Sequence, residues 1–275
     1  MRRDASYFRA CKERGDRFSV LTCYDYPTAR CEEEAGIEML LVGDSLGTNV
    51  LGYESERDVT IEDVVHHTAA VSRGRRDAYI LSDLPFGTCD TVPDALVHAN
   101  SLRGAGADGV KIEGFFPEIV ESLTQVGIDV CGHLGLLPQT AEVKSLKATT
   151  VDAAIELVDD ALALEAAGAV FIVFELIPTQ VAAEASTRLR IPTIGIGAGP
   201  ATDGQVLVVP DLLGMTPVEF RHNKRYAETR PSTVRAMKEY AEDVRAGRFP
   251  STEHSRSLDD AACDALREAF GSSTP

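Results

Sequence analysis

Ionisable side chains stand at or just after the ends of apolar runs at six places along this chain. Asp25 follows FSVLTC (18–23), Asp44 and Ser45 follow EMLLVG (38–43), and Asp83 closes AYILSD (78–83). Lys111 and Glu113 lie in ADGVKIE (107–113), His133 closes IDVCGH (128–133) and Glu175 closes AVFIVFE (169–175). Charges are costly to bury unless paired or coordinated, so a series of this kind reads as a site. Asp44, Asp83 and Glu113 offer hard oxygen donors, which suit magnesium better than zinc where no thiol pair is near. Lys111 and Glu113 are two residues apart on one strand, so both can face the same way. Glu175 ends the most apolar run; burial there would raise its pKa and make it a general base. Each residue also has a plainer reading. A lone Asp after a strand is commonly a helix N-cap, most of all Asp25. A single strand Lys is commonly an edge device, His133 alone would be a satisfied polar group, and Glu175 could pair with Lys111 or an arginine. Their recurrence at the same end of successive runs favours the site.

Two more runs, PTIGIG (192–197) and QVLVV (205–209), bring the apolar runs to eight, each followed by helical periodicity. That alternation is the mark of a parallel sheet, and eight strands without a gap predict a closed (β/α)8 TIM barrel of the α/β class. A barrel of this kind runs to roughly 250 residues, and the chain has 275. One domain over residues 1–275 is expected, with two helices added from about Pro231 and a frayed tail over about 271–275. Helices are expected at 61–73, 93–104 and 151–167, with Thr60, Thr91 and Thr150 near their N-caps. In a barrel the active site lies at the carboxyl ends of the strands, where the ionisable residues stand. GIGAG (195–199) lacks the spacing of a dinucleotide or P-loop signature and reads as close backbone approach at the mouth.

Hydrophobic residues make up 44% and charged residues 25%, enough to bury a core without disulfides. With 27 basic and 43 acidic residues the formal charge is −16, which repels phosphate backbones and anionic lipid, so nucleic acid and membrane are excluded as partners. The six cysteines are scattered without a CxxC, which fits a reducing cytoplasm. No signal-peptide pattern follows MRRD, and no run of about 18 apolar residues occurs.

At these residues the sequence resembles the ketopantoate hydroxymethyltransferase family. The resemblance spans nearly the whole chain. It rests on LTCYDY (21–26), LLVGDSLG (40–47), HHTAAVSRG (66–74), SDLPFG (82–87), GADGVKIEG (106–114), GHLGLLPQ (132–139), ALALEAAGA (161–169) and IPTIGIGAG (191–199). It implies transfer of a hydroxymethyl group from 5,10-methylenetetrahydrofolate to 3-methyl-2-oxobutanoate, giving 2-dehydropantoate in pantothenate and coenzyme A biosynthesis. By the same resemblance Asp44 and Asp83 bind Mg2+ directly and Glu113 completes the metal shell through water. Asp44, Ser45, Asp83, Lys111 and His133 form the substrate site and Glu175 is the base. A homo-oligomer, a decamer, is implied as well. The chain departs from the family pattern at TAEVKSLKATT (140–150), which is shorter and lacks glycine, at Phe115, Asp58 and Pro210, and in part of 219–228. Two other readings stand beside this one: a paralogue hydroxymethylating a different 2-oxo acid, motivated by the 140–150 segment, and a catalytically silent binding barrel. A lyase or mutase of the phosphoenolpyruvate mutase and isocitrate lyase group lacks its cysteine-bearing loop here.

Overall fold

Each apolar run becomes a strand because alternate side chains can be buried on both of its faces, inside a barrel and beneath a helical layer. The structure is a computed structural model describing residues 2–217 and 221–271. The first elements are α1 (Ala5–Arg14), β1 (Phe18–Thr22), α2 (Tyr26–Ala35), β2 (Met39–Val42), α3 (Ile61–Gly74), β3 (Tyr79–Asp83) and α4 (Val92–Ala105). Then come β4 (Gly109–Glu113), α5 (Pro117–Gln125), β5 (Asp129–Gly135), α6 (Val151–Ala166), β6 (Phe171–Glu175), α7 (Thr179–Arg188), β7 (Thr193–Ile196) and β8 (Gly204–Leu207). A short α8 (Val209–Leu212), α9 (Thr229–Arg245) and α10 (Asp260–Phe270) complete the order. Among the described residues β1 to β8 pair in parallel, each with the next, and β8 pairs with β1 to close the barrel. The fold is the expected (β/α)8 barrel.

The chain divides into two compact units, Met1–Tyr226 and Ala227–Pro275. The barrel belongs to the first. The second carries α9 and α10, the two helices expected from about Pro231. From residue 272 onward the expected frayed tail lies outside the described residues. No helix among the described residues is long and apolar enough to cross a membrane.

Strand alternation sorts side chains into two populations. Even-numbered residues of β2, β3, β4 and β6, such as Leu40, Ile80, Val110, Ile112, Ile172 and Phe174, point outward into the core shared with the helices. The opposite set points inward and changes character from bottom to top. Phe18, Met39, Tyr79 and Phe171 form the lowest layer, with Val20, Leu41, Leu81 and Val173 above them. Above these come Thr22, Asp83, Glu113, His133 and Glu175, which line a cavity at the mouth. Helix α1 closes the bottom: Phe8 is fully buried and meets Phe18, Tyr79 and Phe171 edge-on at 4.9–5.7 Å between centroids. Two glycines make room for this layer. A Cβ on Gly109 would lie 2.3 Å from Tyr79 Oη, and one on Gly204 would lie 2.3 Å from the Phe18 ring.

Local chemistry fixes the helix starts. Thr60, Thr91 and Thr150 each accept a backbone N–H from the first turn of α3, α4 and α6, as expected of N-caps. Asp25 does the same for α2, accepting from Thr28 N at 2.7 Å, so its plainer reading is the one the fold adopts.

Candidate active site

Barrel register brings the sequence-predicted residues together. Asp83 on β3 stands level with Lys111 on β4, and Glu113 on β4 stands level with His133 on β5. Asp44 and Ser45, just past β2, and Glu175, at the end of β6, complete the ring. All seven line one cavity of about 560 Å³. Asp25, an exposed helix cap, stands apart from it.

Asp83 accepts the Asp44 backbone N–H at 3.0 Å and faces Lys111 Nζ at 3.1 Å, both through Oδ2. Its Oδ1 is buried and has no hydrogen-bond partner. Burial holds Asp83 above its ordinary pKa against the pull of Lys111. On Lys111 burial works downward, but Asp83, Asp44 and Glu113 outweigh it and hold the ammonium charged. Burial pushes Glu113 up to about 9, with Lys111 opposing and Asp44 adding to the rise. Here the structure moves one expectation. The Glu113 side chain, 2% exposed, is buried more deeply than that of Glu175, which is 18% exposed at the mouth although it ends the more apolar run.

His133 is held below its ordinary pKa, first by burial and then by Lys111, so it is neutral at pH 7. Lys111 Nζ lies 3.4 Å from His133 Nδ1. An ammonium has no lone pair to offer, so Nδ1 accepts and the ring proton sits on Nε2. That proton faces Glu175: Nε2 is 3.3 Å from Oε2, an approach that makes no hydrogen bond as it stands. Among the described residues, the ion-pair neighbour of Glu175 is thus His133 rather than Lys111 or an arginine.

Behind Glu175 the chain turns sharply. Leu176 has φ 45°, a conformation uncommon outside glycine and frequent at functional sites. Two backbone bonds pin it there, from its own N–H to Ile196 O and from Lys147 N–H to its carbonyl, each 2.9 Å. Gly197 passes so close that a Cβ would lie 2.7 Å from the Leu176 side chain, in keeping with the reading of GIGAG as close backbone approach.

Some residues of the site escaped the sequence reading. Tyr24, buried, places its hydroxyl 2.9 Å from Ser45 Oγ, and burial keeps that phenol protonated. Gln139, also buried, bonds to Asp44, Glu113 and Leu84. Lys144 reaches across the rim to Glu56 at 2.9 Å. The quoted blocks LTCYDY and GHLGLLPQ contain Tyr24 and Gln139, but neither follows an apolar run as a charge, which was the signal used.

The donor set fits a hard divalent cation. The carboxyl groups of Asp44, Asp83 and Glu113 share one desolvated corner with Lys111, and Asp83 Oδ1 lacks a partner. No three His, Cys, Asp or Glu side chains among the described residues close on one point as a complete ion cage. The fit is to a site that leaves positions for substrate and water.

The profile described as ketopantoate hydroxymethyltransferase matches residues 2–252. A protein of Roseiflexus sp. (strain RS-1) named 3-methyl-2-oxobutanoate hydroxymethyltransferase is 46% identical over 98% of this chain and 99% of its own. Proteins of the same name from Dehalococcoides mccartyi and Thermus thermophilus are 43% and 45% identical over 98% and 93% of this chain, and over 99% and 100% of their own. The chain belongs to the ketopantoate hydroxymethyltransferase family. Solved structures more remote in sequence share the barrel. A phosphoenolpyruvate phosphomutase from Streptomyces platensis matches with a TM-score of 0.60 at 14% identity, over 98% of this chain and 96% of its own. A phosphonopyruvate hydrolase solved with oxalate and Mg2+ matches at 0.59 and 13%, over 98% and 99%.

Where the chain departs from the ketopantoate hydroxymethyltransferase pattern, the structure gives the departures places. The 140–150 segment supplies Lys144 to the rim and the Lys147 bond behind Glu175. Asp58 closes a capping box with Ser55, Phe115 is exposed, and Pro210 lies in α8. Of the partly matching stretch, Arg221, His222 and Asn223 line the cavity, while 219 and 220 lie outside the described residues.

Proposed function

We propose that this cavity transfers a hydroxymethyl group from 5,10-methylenetetrahydrofolate to 3-methyl-2-oxobutanoate, forming 2-dehydropantoate for pantothenate biosynthesis. The observation that carries the reading is the convergence of Asp44, Ser45, Asp83, Lys111, Glu113, His133 and Glu175 in one cavity. Asp44 and Asp83 would hold Mg2+, with Glu113 acting through water. When bound, the metal supplies Lewis-acid stabilisation of the negative charge that grows on the keto oxygen.

The protein's own groups do the rest. Lys111 and Ser45 hold the oxo acid's anionic end, and Tyr24 fixes the Ser45 hydroxyl. Glu175, at the mouth, removes the proton from the third carbon and leaves an enolate. His133, with its proton on Nε2, steadies the Glu175 carboxylate as its charge changes. Water cleaves both C–N bonds of the folate's methylene bridge, its hydrogens passing to the two nitrogens and its oxygen to the carbon, so that tetrahydrofolate and formaldehyde form; the enolate carbon then adds to the formaldehyde carbon, and the proton held on Glu175 passes to the new alkoxide to give the hydroxymethyl group. The inward aliphatic side chains Leu41, Val173, Ile196 and Val206 line the same cavity and suit a branched alkyl group. Magnesium, a cytoplasmic setting and a homo-oligomeric assembly, a decamer, belong to the same proposal.

The test is deuterium exchange at the third carbon of 3-methyl-2-oxobutanoate, followed by NMR with Mg2+ or with EDTA, and with or without the folate. Exchange that depends on Mg2+, with product appearing only when folate is added, is the expected result. No exchange, or faster exchange of another 2-oxo acid, would overturn the choice of substrate.

A further inference from the structure

We infer that Gln139 is a positioning residue for the metal-binding carboxylates, clamping Asp44 and Glu113 so that each keeps an oxygen free for a divalent cation or its water. This rests on the magnesium reading above. Gln139 is 5% exposed although it lies beyond the end of β5, in the connection leading to α6. Its carboxamide nitrogen donates to Asp44 Oδ2 at 2.7 Å and to Leu84 O at 3.1 Å. Its backbone N–H donates to Glu113 Oε1 at 2.7 Å.

Three features make this a clamp. Both side-chain neighbours, a carboxylate and a carbonyl, are pure acceptors, so the amide must present its NH2 to them and cannot be flipped. Both amide hydrogens are committed, and the Leu84 carbonyl anchors the direction of the bond to Asp44. Leu84 directly follows Asp83, so a single residue ties together the segments that carry Asp44, Asp83 and Glu113. Without the clamp the Asp44 and Glu113 side chains would be free to turn away from the Asp83 segment, and the cation would have to reassemble them. Loss of such an outer partner lowers metal affinity by roughly 10- to 100-fold.

Isothermal titration of the full EDTA-stripped chain with MgCl2 alone, repeated with Gln139→Met, tests the inference. Methionine keeps the length of the side chain and removes both donors, while the backbone bond to Glu113 remains. Circular dichroism establishes that the variant is folded. The expected result is a Kd for Mg2+ raised at least about tenfold, together with an altered Mn2+ electron paramagnetic resonance spectrum. A merely structural glutamine would lower the unfolding temperature and leave both readouts in place. A folded variant whose Kd is within twofold of the parent overturns the inference. Should the Met variant not fold, Gln139→Asn, which keeps the amide but cannot reach Asp44, is read the same way. A parent chain that takes up no Mg2+ sinks the magnesium reading and this inference together; a binding parent with an equal variant sinks only the inference.

Discussion

Single residues in this site differ in how they are expected to fail. Glu175→Gln keeps its size and its place at the mouth but cannot take a proton. Mg2+ and oxo-acid binding should persist in calorimetry, while proton exchange falls by on the order of 10²–10⁴-fold; exchange at the parent rate would remove Glu175 from the role of base. Asp83→Ala removes the oxygen that lacks a partner, so loss of Mg2+ heat should precede any other defect. Outside the cavity, Glu32 on α2 has both carboxylate oxygens buried without hydrogen-bond partners, and burial pushes its pKa up to about 8 from 4.5. A carboxyl raised in this way contributes its full stability below pH 4.5 and loses it as pH climbs through 8. Glu32→Gln should therefore gain on the parent between pH 5 and pH 9 in EDTA, by at least about 3 °C in Tm. A difference that stays constant with pH would refute the assignment. Sequence reasoning did not find Glu32, because it lies within the acidic run Glu32, Glu33 and Glu34, which resembles a solvated helix face.

Elements were more legible than contacts. Strand runs and threonine caps are written within a few neighbouring residues, and the eight runs became β1 to β8 at nearly the expected bounds. The ionisable residues at the strand ends were legible for the same reason, since the barrel's geometry gathers strand ends at one mouth. Gln139 and Tyr24 were not, because their roles depend on where a loop folds back or which side chain a hydroxyl meets. The bottom layer is a third case. Gly109 looks like a defect in β4 until Tyr79 is seen to fill its space. Gly109→Ala should therefore overpack the barrel and cost about 1–3 kcal/mol in denaturant unfolding, and Tyr79→Phe in the same background should recover part of the loss. No recovery would mean that the Tyr79 hydroxyl is not the obstacle.

At the scale of the whole molecule, a formal charge of −16 repels itself, and screening shortens the reach of that repulsion from about 10 Å at 0.1 M salt to about 3 Å at 1 M. The unfolding temperature should rise when KCl is increased over that range; a flat or falling curve would show that the negative charges are already neutralised locally. The layering inside the barrel carries a different consequence, one of phase. Chemistry and core share β3, β4, β5 and β6 at alternate positions, so deleting one residue within β4 would exchange Lys111 and Glu113 for their neighbours Val110 and Ile112, turning charge into the helical layer and oil into the mouth. Deleting two would preserve the phase and lower the charges by one layer, toward the aromatic plug. Among small insertions and deletions in these strands, odd ones should therefore be lost from living lineages far more completely than even ones.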